Sequence, residues 1–275
     1  MDLSLIETLR WEPEAGFVRL ERHLTRLARS AAALELPGSE GAREALFAAL
    51  PSLPFSPTGR RWPKGPDEGA CTILTVSAPP SSRCRDLLPV GEKEQEAPSP
   101  SITRRAEGGE QHPTPLRVRL ELFPDGRIDV QTAAFTLLAP DATWRLKIAE
   151  TRLASADPLL RHKTSHRSVY ATARAEFPAS EADEVLLLNE RGDLCEGTIT
   201  TLFLDDGSGI LKTPPLTAGL LAGVLRAELL ESGKAVEAVL RPDDLSEGEI
   251  FVGNSLRGLI RAQLSQSKMP GINAG

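Results

Sequence analysis

An α+β fold in two parts is what the order of apolar patterns in this chain predicts. Three observations carry that prediction. A strand-like run and a long amphipathic helix open the chain, and a hairpin with alternating apolar and polar residues follows near residue 120. From about residue 145, strand-like runs then alternate with short helices. No internal repeat is visible. The first domain is expected over residues 1–140, with a low-complexity insertion at about 51–114, and the second over residues 145–275.

The elements follow in order. LSLIETLRW reads as a strand and EPEAG as its turn. In GFVRLERHLTRLARSAAALEL, Leu20, Leu24, Leu27 and Ala31 recur at helical spacing. A second short helix, EGAREALFAAL, ends at Pro51. Twelve of the chain's 22 prolines then fall between Pro51 and Pro115. Residues 91–114 contain almost no apolar side chain to offset the entropy of ordering, so a disordered loop is expected there. CTILTVSA (71–78) reads as a strand, which makes the loop an insertion within a domain. In LRVRLELFPDGRIDVQTAAF, alternating residues flank Pro124-Asp125-Gly126, a hairpin signal. APDATW is read as a connection. Beyond it come a helix over Ser165–Phe177, a strand EVLLLN (184–189), a tight turn ERGD and a strand pair around TTLFLDD and ILKT. A helix from Thr217 to Ser232 and strands near AVEAVL and EIFVGNSL complete the chain.

Composition excludes several functions. With 275 residues the chain can bury a real core, but no apolar run approaches the ~18–20 residues that span a bilayer. The opening MDLSLIETLRWEPE is acidic where a secretion signal is basic, so a cytoplasmic protein without a membrane partner is expected. A net charge of −6 argues against nucleic acid, which needs a basic face. Cys71, Cys84 and Cys195 form no C-x-x-C pair, which suits a reducing compartment and gives neither a disulfide framework nor a zinc site.

Some motifs carry no chemistry. In GSGILKT (207–213), Leu211 precedes the lysine and prolines follow, whereas a phosphate-binding loop needs glycine before the lysine and a helix after it. His162 and His166 stand four apart, but no third metal ligand lies nearby in sequence. Cys195 is read as a buried strand cysteine. Four other features remain open. Lys163 lies in LLRHKTSHRSVY (159–170), among two histidines and two arginines, where an exposed lysine is the ordinary reading. Glu196 follows apolar residues in NERGDLCEGTITTLF, where an acid needs a partner. In TPPLTAGLLAGVLR, the N–H groups of Gly223, Val224 and Leu225 could hold an anion if a helix starts there. FVGNSLRGL is a strand ending in small polar residues.

Taken together and in order, HLTRL (23–27), HKTSHR (162–167), LLLNERGDLCEGTITTLF (186–203), TPPLTAGLLAGVLR (213–226) and IFVGNSLRG (250–258) resemble the fold-type IV (class IV) pyridoxal-phosphate enzymes. The resemblance covers the chain apart from the proline-rich insertion. It implies the two-domain fold of the D-amino-acid aminotransferases, with a barrel-like cofactor domain, and pyridoxal 5′-phosphate as cofactor. Lys163 matches the lysine that bonds covalently to the cofactor, and Glu196 matches the carboxylate that bonds the pyridine nitrogen. Arg26, the backbone of Val224 and Leu225 and the hydroxyl of Ser255 match the phosphate cradle, and Thr200 joins the cofactor set. No metal is implied. The family's active site lies near a subunit boundary, which implies a homodimer acting on a small-molecule amino substrate.

Within the family, the Lys163-x-x-x-Arg167 spacing and NSLRG (254–258) are most similar to the 4-amino-4-deoxychorismate lyases, which release pyruvate and 4-aminobenzoate. The competing reading is a class IV aminotransferase acting on branched-chain or D-amino acids. A third is a degenerate scaffold, against which the intact Lys163, Glu196 and Arg26 argue. Two departures stand out. By the resemblance, the family strand that precedes LIETLRW is expected to be missing here. The tyrosine of the branched-chain enzymes is Ser168, which leaves Arg167 to take its place toward the cofactor. Arg10 and Trp11 fall near where pocket residues would lie, although core packing explains Trp11 equally well.

Overall fold

Strand β1 (Leu5–Glu12) runs through the middle of a four-stranded antiparallel sheet in the computed structural model, which describes residues 3–50 and 114–265. The sheet order is β2 (Gly16–Phe17), β1, β3 (Leu116–Leu122), β4 (Ile128–Ala134). Alternation along β1 puts Leu5, Glu7, Leu9 and Trp11 on one face, in register with Leu122, Leu120, Val118 and Leu116 of β3. Helix α1 (Leu20–Ala33) and helix α2 (Ala42–Ala48) cover that face through Leu27, Ala31, Ala42 and Leu46. Glu7 is the acidic member of an otherwise apolar row.

The expected hairpin is present. Gly126, at φ +83°, closes it by donating its N–H to the Phe123 carbonyl. A Cβ on Gly38, itself at φ +89°, would lie 2.5 Å from the Gly126 oxygen, so the turn before α2 and the hairpin tip meet backbone to backbone. The expected strand at 71–78 and the expected loop, save its last residue, lie outside the described residues.

The second sheet has eight strands: β5 (Thr143–Leu153), β6 (Glu184–Asn189), β7 (Leu194–Gly197), β8 (Thr201–Asp205), β9 (Leu211–Thr213), β10 (Ala235–Glu237), β11 (Glu249–Asn254) and β12 (Gly258–Leu264). Their order is β10-β9-β8-β11-β12-β5-β6-β7. The sheet curls until its edges meet: the Leu194 N–H of edge strand β7 donates to the carbonyl of Leu240, just beyond edge strand β10, at 2.7 Å. Leu146, Leu186, Leu188, Leu202, Leu204, Val252 and Ile260 share one core cluster. Val185 and Leu187 belong to a second cluster, with Tyr170 and Ala173 of helix α3 (Ser168–Ala175). Strand β6 is thus buried on both faces, which is why EVLLLN is a continuous apolar run rather than an alternating one. Helix α4 (Val224–Glu231) packs Leu225 and Leu229 on Phe203 and Ala235.

Four expectations are corrected. Strand β5 was not foreseen, and neither was β12. In β5 the buried residues are Leu146, Ala149 and Leu153, a helix-like spacing produced by a register shift between Ile148 and Arg152 in its pairing with β6. The helix expected from Thr217 begins only at Val224. Leu216–Ala218 form a single 3₁₀ turn, and Gly219 at φ +88° ends it. Helix α3 is likewise shorter than Ser165–Phe177, because Lys163–Ser165 pair with β1 instead.

Phe203 is fully buried beneath α4. Phe203→Ala should lower stability by about 3–5 kcal/mol, read as a shift in the urea midpoint at unchanged slope.

Candidate active site

The chain reaches Lys163 from a 3₁₀ turn, Pro158–Arg161, whose first turn is capped by the Asp157 side chain accepting from the Leu159 N–H. The next residues run extended along β1. Ile6 N–H donates to the Lys163 carbonyl at 2.7 Å, and Ser165 N–H donates to the Ser4 carbonyl at 2.9 Å. The connection between β5 and β6 is thus tied by backbone to β1 at the lysine itself. Lys163 lies deep but keeps some accessible surface. Burial, then the cations of Arg167 and Arg26, pull its amine down to about 7, against the opposing pull of Glu7 and Glu196. A lysine in this setting is a neutral nucleophile and base for much of the time near neutrality.

Arg26 is buried rather than on the solvent side of α1. Its Nε and Nη2 donate to the two oxygens of Glu7 at 2.8 and 2.6 Å, and its Nη1 donates to the Ala222 carbonyl at 3.3 Å. Glu7 also meets His23 Nδ1 at 2.6 Å, and His23 Nε2 meets the Ser255 hydroxyl at 2.7 Å. Burial pushes the Glu7 carboxyl up, but Arg26 and His23 outweigh it and hold the group at about 2. An ionised carboxylate only accepts, so His23 Nδ1 must donate to it. Burial keeps His23 neutral, so its Nε2 accepts the Ser255 proton. Glu7 was missed in the sequence. Its signal was an acid on the Leu5–Leu9–Trp11 face of an alternating strand.

Glu196, on β7, is also buried, with a different outcome. Its Oε1 accepts from the Tyr170 hydroxyl at 2.6 Å and from the Leu221 N–H at 3.1 Å. Burial raises this carboxyl to about 7, and those bonds together with the more distant Arg167 and Lys163 offset only part of the rise. The loop before α4 therefore touches both carboxylate systems, through Leu221 to Glu196 and through Ala222 to Arg26. At Gly223, the residue before α4, a Cβ would lie 2.9 Å from the Thr201 hydroxyl. No side chain caps α4, so its first-turn N–H groups are open to an anion.

Thr200 is placed differently from the rest. Its hydroxyl donates to Glu184 Oε2 at 2.8 Å. Glu184 also accepts from the Thr198 and Ile199 N–H groups at 3.0 and 3.1 Å and from the Thr198 hydroxyl at 2.5 Å. This fully buried acid clamps the turn that follows Glu196. The sequence reading missed it, although an acid opening the apolar strand EVLLLN was its signal. Arg167 donates to the Thr198 carbonyl and stacks 4.6 Å from the centre of the Tyr170 ring. Trp11 belongs to the core, whereas Arg10 donates to the Leu256 carbonyl at 3.1 Å, beside Ser255. Cys195 is buried and inert, its thiol pushed up to about 12 by burial and nearby acids. Among the described residues, no group of three or more His, Cys, Asp or Glu side chains could hold a metal ion.

These residues fit pyridoxal phosphate. A depressed amine suits its aldehyde. Both bonds to Glu196 fall on Oε1, which leaves Oε2 to meet a protonated ring nitrogen. A cavity of about 210 Å³ between α1 and α4 reaches Arg26 and Val224 of these residues, but not Lys163, Glu196 or Ser255. A larger cleft of about 760 Å³, lined by Thr143, Leu245 and Arg261 among others, contains none of the cluster.

Two outcomes follow from these charges. In cofactor-free protein the rate of pyridoxal-phosphate capture should rise with pH through about 7 and then level off. An ordinary lysine would keep accelerating toward about 10. Glu7→Gln should destabilise the protein by about 3–5 kcal/mol, because Arg26 is left buried without its counter-charge. The Glu7 carboxyl sits below its unfolded value of 4.5, so its contribution is complete above that pH and is lost as pH falls toward about 2. Chemical unfolding across that window should show a shallower acid limb in the variant.

The family model for class IV aminotransferases matches residues 4–264. A Schizosaccharomyces pombe protein provisionally named an aminodeoxychorismate lyase is 32% identical over 155 residues, 54% of this chain and 66% of that protein. A Thermotoga maritima protein described as a probable branched-chain-amino-acid aminotransferase is 30% identical over 154 residues, 54% of each chain. The matches thus span between half and two thirds of these curated relatives. A crystal structure from Mesorhizobium loti, provisionally described as an amino-acid aminotransferase, aligns with 96% of this chain and 100% of its own at 39% identity and a TM-score of 0.70. The α+β fold, the reach of the family model and the fit of the site to its cofactor agree: the chain belongs to the class IV aminotransferase family, and it is a pyridoxal-phosphate enzyme.

Proposed function

We propose that the protein is a 4-amino-4-deoxychorismate lyase, releasing pyruvate and 4-aminobenzoate and working as a cytoplasmic homodimer. The observation that supports it is Arg167, four residues beyond Lys163. It is the strongest cationic influence on the Lys163 amine and is anchored by Thr198 and the Tyr170 ring.

Bound pyridoxal phosphate supplies an aldehyde that captures the substrate amine and a ring that accepts the electrons left when a Cα–H bond breaks. The chain's own residues do the rest. Lys163 Nζ, neutral near pH 7, takes the Cα proton and as its conjugate acid returns a proton while pyruvate leaves. Arg167 and Arg26 keep that amine from holding its proton too tightly. Arg26 and the first-turn amides of α4 (Val224 and Leu225) would hold the phosphate, Ser255 would join them by turning its hydroxyl away from His23, and Glu196 would hold the ring nitrogen protonated. Thr200 contributes by tying the turn after Glu196 to Glu184.

Amino-acid transamination is the second reading, favoured by the whole-chain match to the M. loti structure. Lys163 would take the same proton but return it elsewhere, and the amino group would leave the substrate. Incubation with aminodeoxychorismate separates the two. Fluorescent 4-aminobenzoate with equimolar pyruvate is expected; amino transfer to keto acids without either product would establish the transaminase. Lys163→Ala should lower turnover by roughly 10²–10⁴-fold and abolish the visible band of the bound cofactor.

A further inference from the structure

Tyr170 is the only tyrosine in the chain, and it is buried on α3 among Ala173, Val185, Leu187, Cys195 and Leu220. It touches two of the four charged residues that act on the lysine, Glu196 and Arg167. Its hydroxyl donates to Glu196 Oε1 at 2.6 Å, and its ring carries the Arg167 guanidinium 4.6 Å from the centroid. The charged and titratable groups facing it are Glu196, Arg167 and Cys195. A core tyrosine needs one partner for its hydroxyl. This one meets its partner at an active-site carboxylate and also presents the negative face of its ring to an active-site cation.

We propose that Tyr170 is a positioning residue: its hydroxyl fixes Glu196 so that Oε2 faces the cofactor's ring nitrogen, and its ring holds Arg167 beside Lys163. The inference rests on the reading of Glu196 as the ring-nitrogen partner. A carboxylate on a flexible side chain can offer either oxygen. Two donors converging on Oε1, the phenol and the Leu221 N–H, remove that freedom. Arg167 has its own anchor at the Thr198 carbonyl, and the ring stack is the second contact that fixes the plane of its fork.

Because there is one tyrosine, its ionisation can be followed alone by absorbance near 295 nm on cofactor-free protein. Burial and the adjoining carboxylate should keep the phenol protonated beyond the ordinary ~10, until the tryptophan fluorescence reports unfolding. Glu196→Gln should let it ionise earlier. Tyr170→Phe keeps the ring but not the donor. It should weaken pyridoxal-phosphate binding about tenfold, the worth of a hydrogen bond to a charged group, and move the pH midpoint of the cofactor's absorbance band. Tyr170→Leu removes the stack too, and should also raise the pH at which Lys163 captures the cofactor. Ionisation of Tyr170 near pH 10 in folded wild-type protein would overturn the proposal, and that measurement needs no variant. Unchanged affinity and spectrum in Tyr170→Phe, with both altered in Glu196→Gln, would sink the role of Tyr170 alone. Both unchanged in Glu196→Gln as well would remove the reading of Glu196 on which it depends.

Discussion

A carboxylate that must stay ionised inside an apolar row organises much of this molecule. Glu7 has no water to solvate it, so its charge has to be answered by Arg26 and His23. Those partners sit three residues apart on α1, one turn of helix, which fixes the rotation of that helix over the sheet. His23 then reaches Ser255 in the other sheet, and Arg26 reaches the loop that leads into α4. A requirement on one side chain thus becomes a constraint on the relative placement of two sheets and two helices.

Set beside Glu196, Glu7 shows how partners rather than burial decide protonation. Both groups are buried. One is held near 2 by a two-pronged guanidinium contact, and the other rises to about 7 with only neutral donors in contact. Lys163 lies under the influence of both and of two arginines. Its amine is tuned chiefly by lost hydration and by like charge, with the acids pulling the other way. Pairs of groups pushed apart in this manner mark where proton transfer is performed.

The opening strand, α1, the hairpin and EVLLLN were legible because local pattern and tertiary burial agree there. Motifs in family order singled out Lys163, Glu196, Arg26 and Ser255; Lys163 lies under the charges of Arg26 and Glu196, and Ser255 is linked to Arg26 through His23 and Glu7. What escaped did so for physical reasons. The register shift in β5 converted a strand's alternation into spacing that mimics a helix. Gly219 delayed the start of α4 by several residues, although TPPLTAGLLAGVLR looks continuous. Glu7, Glu184 and Tyr170 act through contacts with residues distant in sequence; an acid among apolar neighbours signals that a partner is needed, but not which residue supplies it. Thr200 is assigned by the resemblance to the cofactor set, yet its hydroxyl donates to Glu184.

The meeting of Leu194 with Leu240 has a consequence for how copies of this chain can associate. An open sheet offers unpaired amides and carbonyls at its rims, and a neighbouring strand can extend it without limit. Here the two rims touch at one backbone hydrogen bond, so a strand arriving at that point of the eight-stranded sheet finds the Leu194 amide already paired. Association at that point would have to use side-chain surfaces, whose shape and charge can discriminate between partners, rather than backbone pairing that accepts almost any sequence.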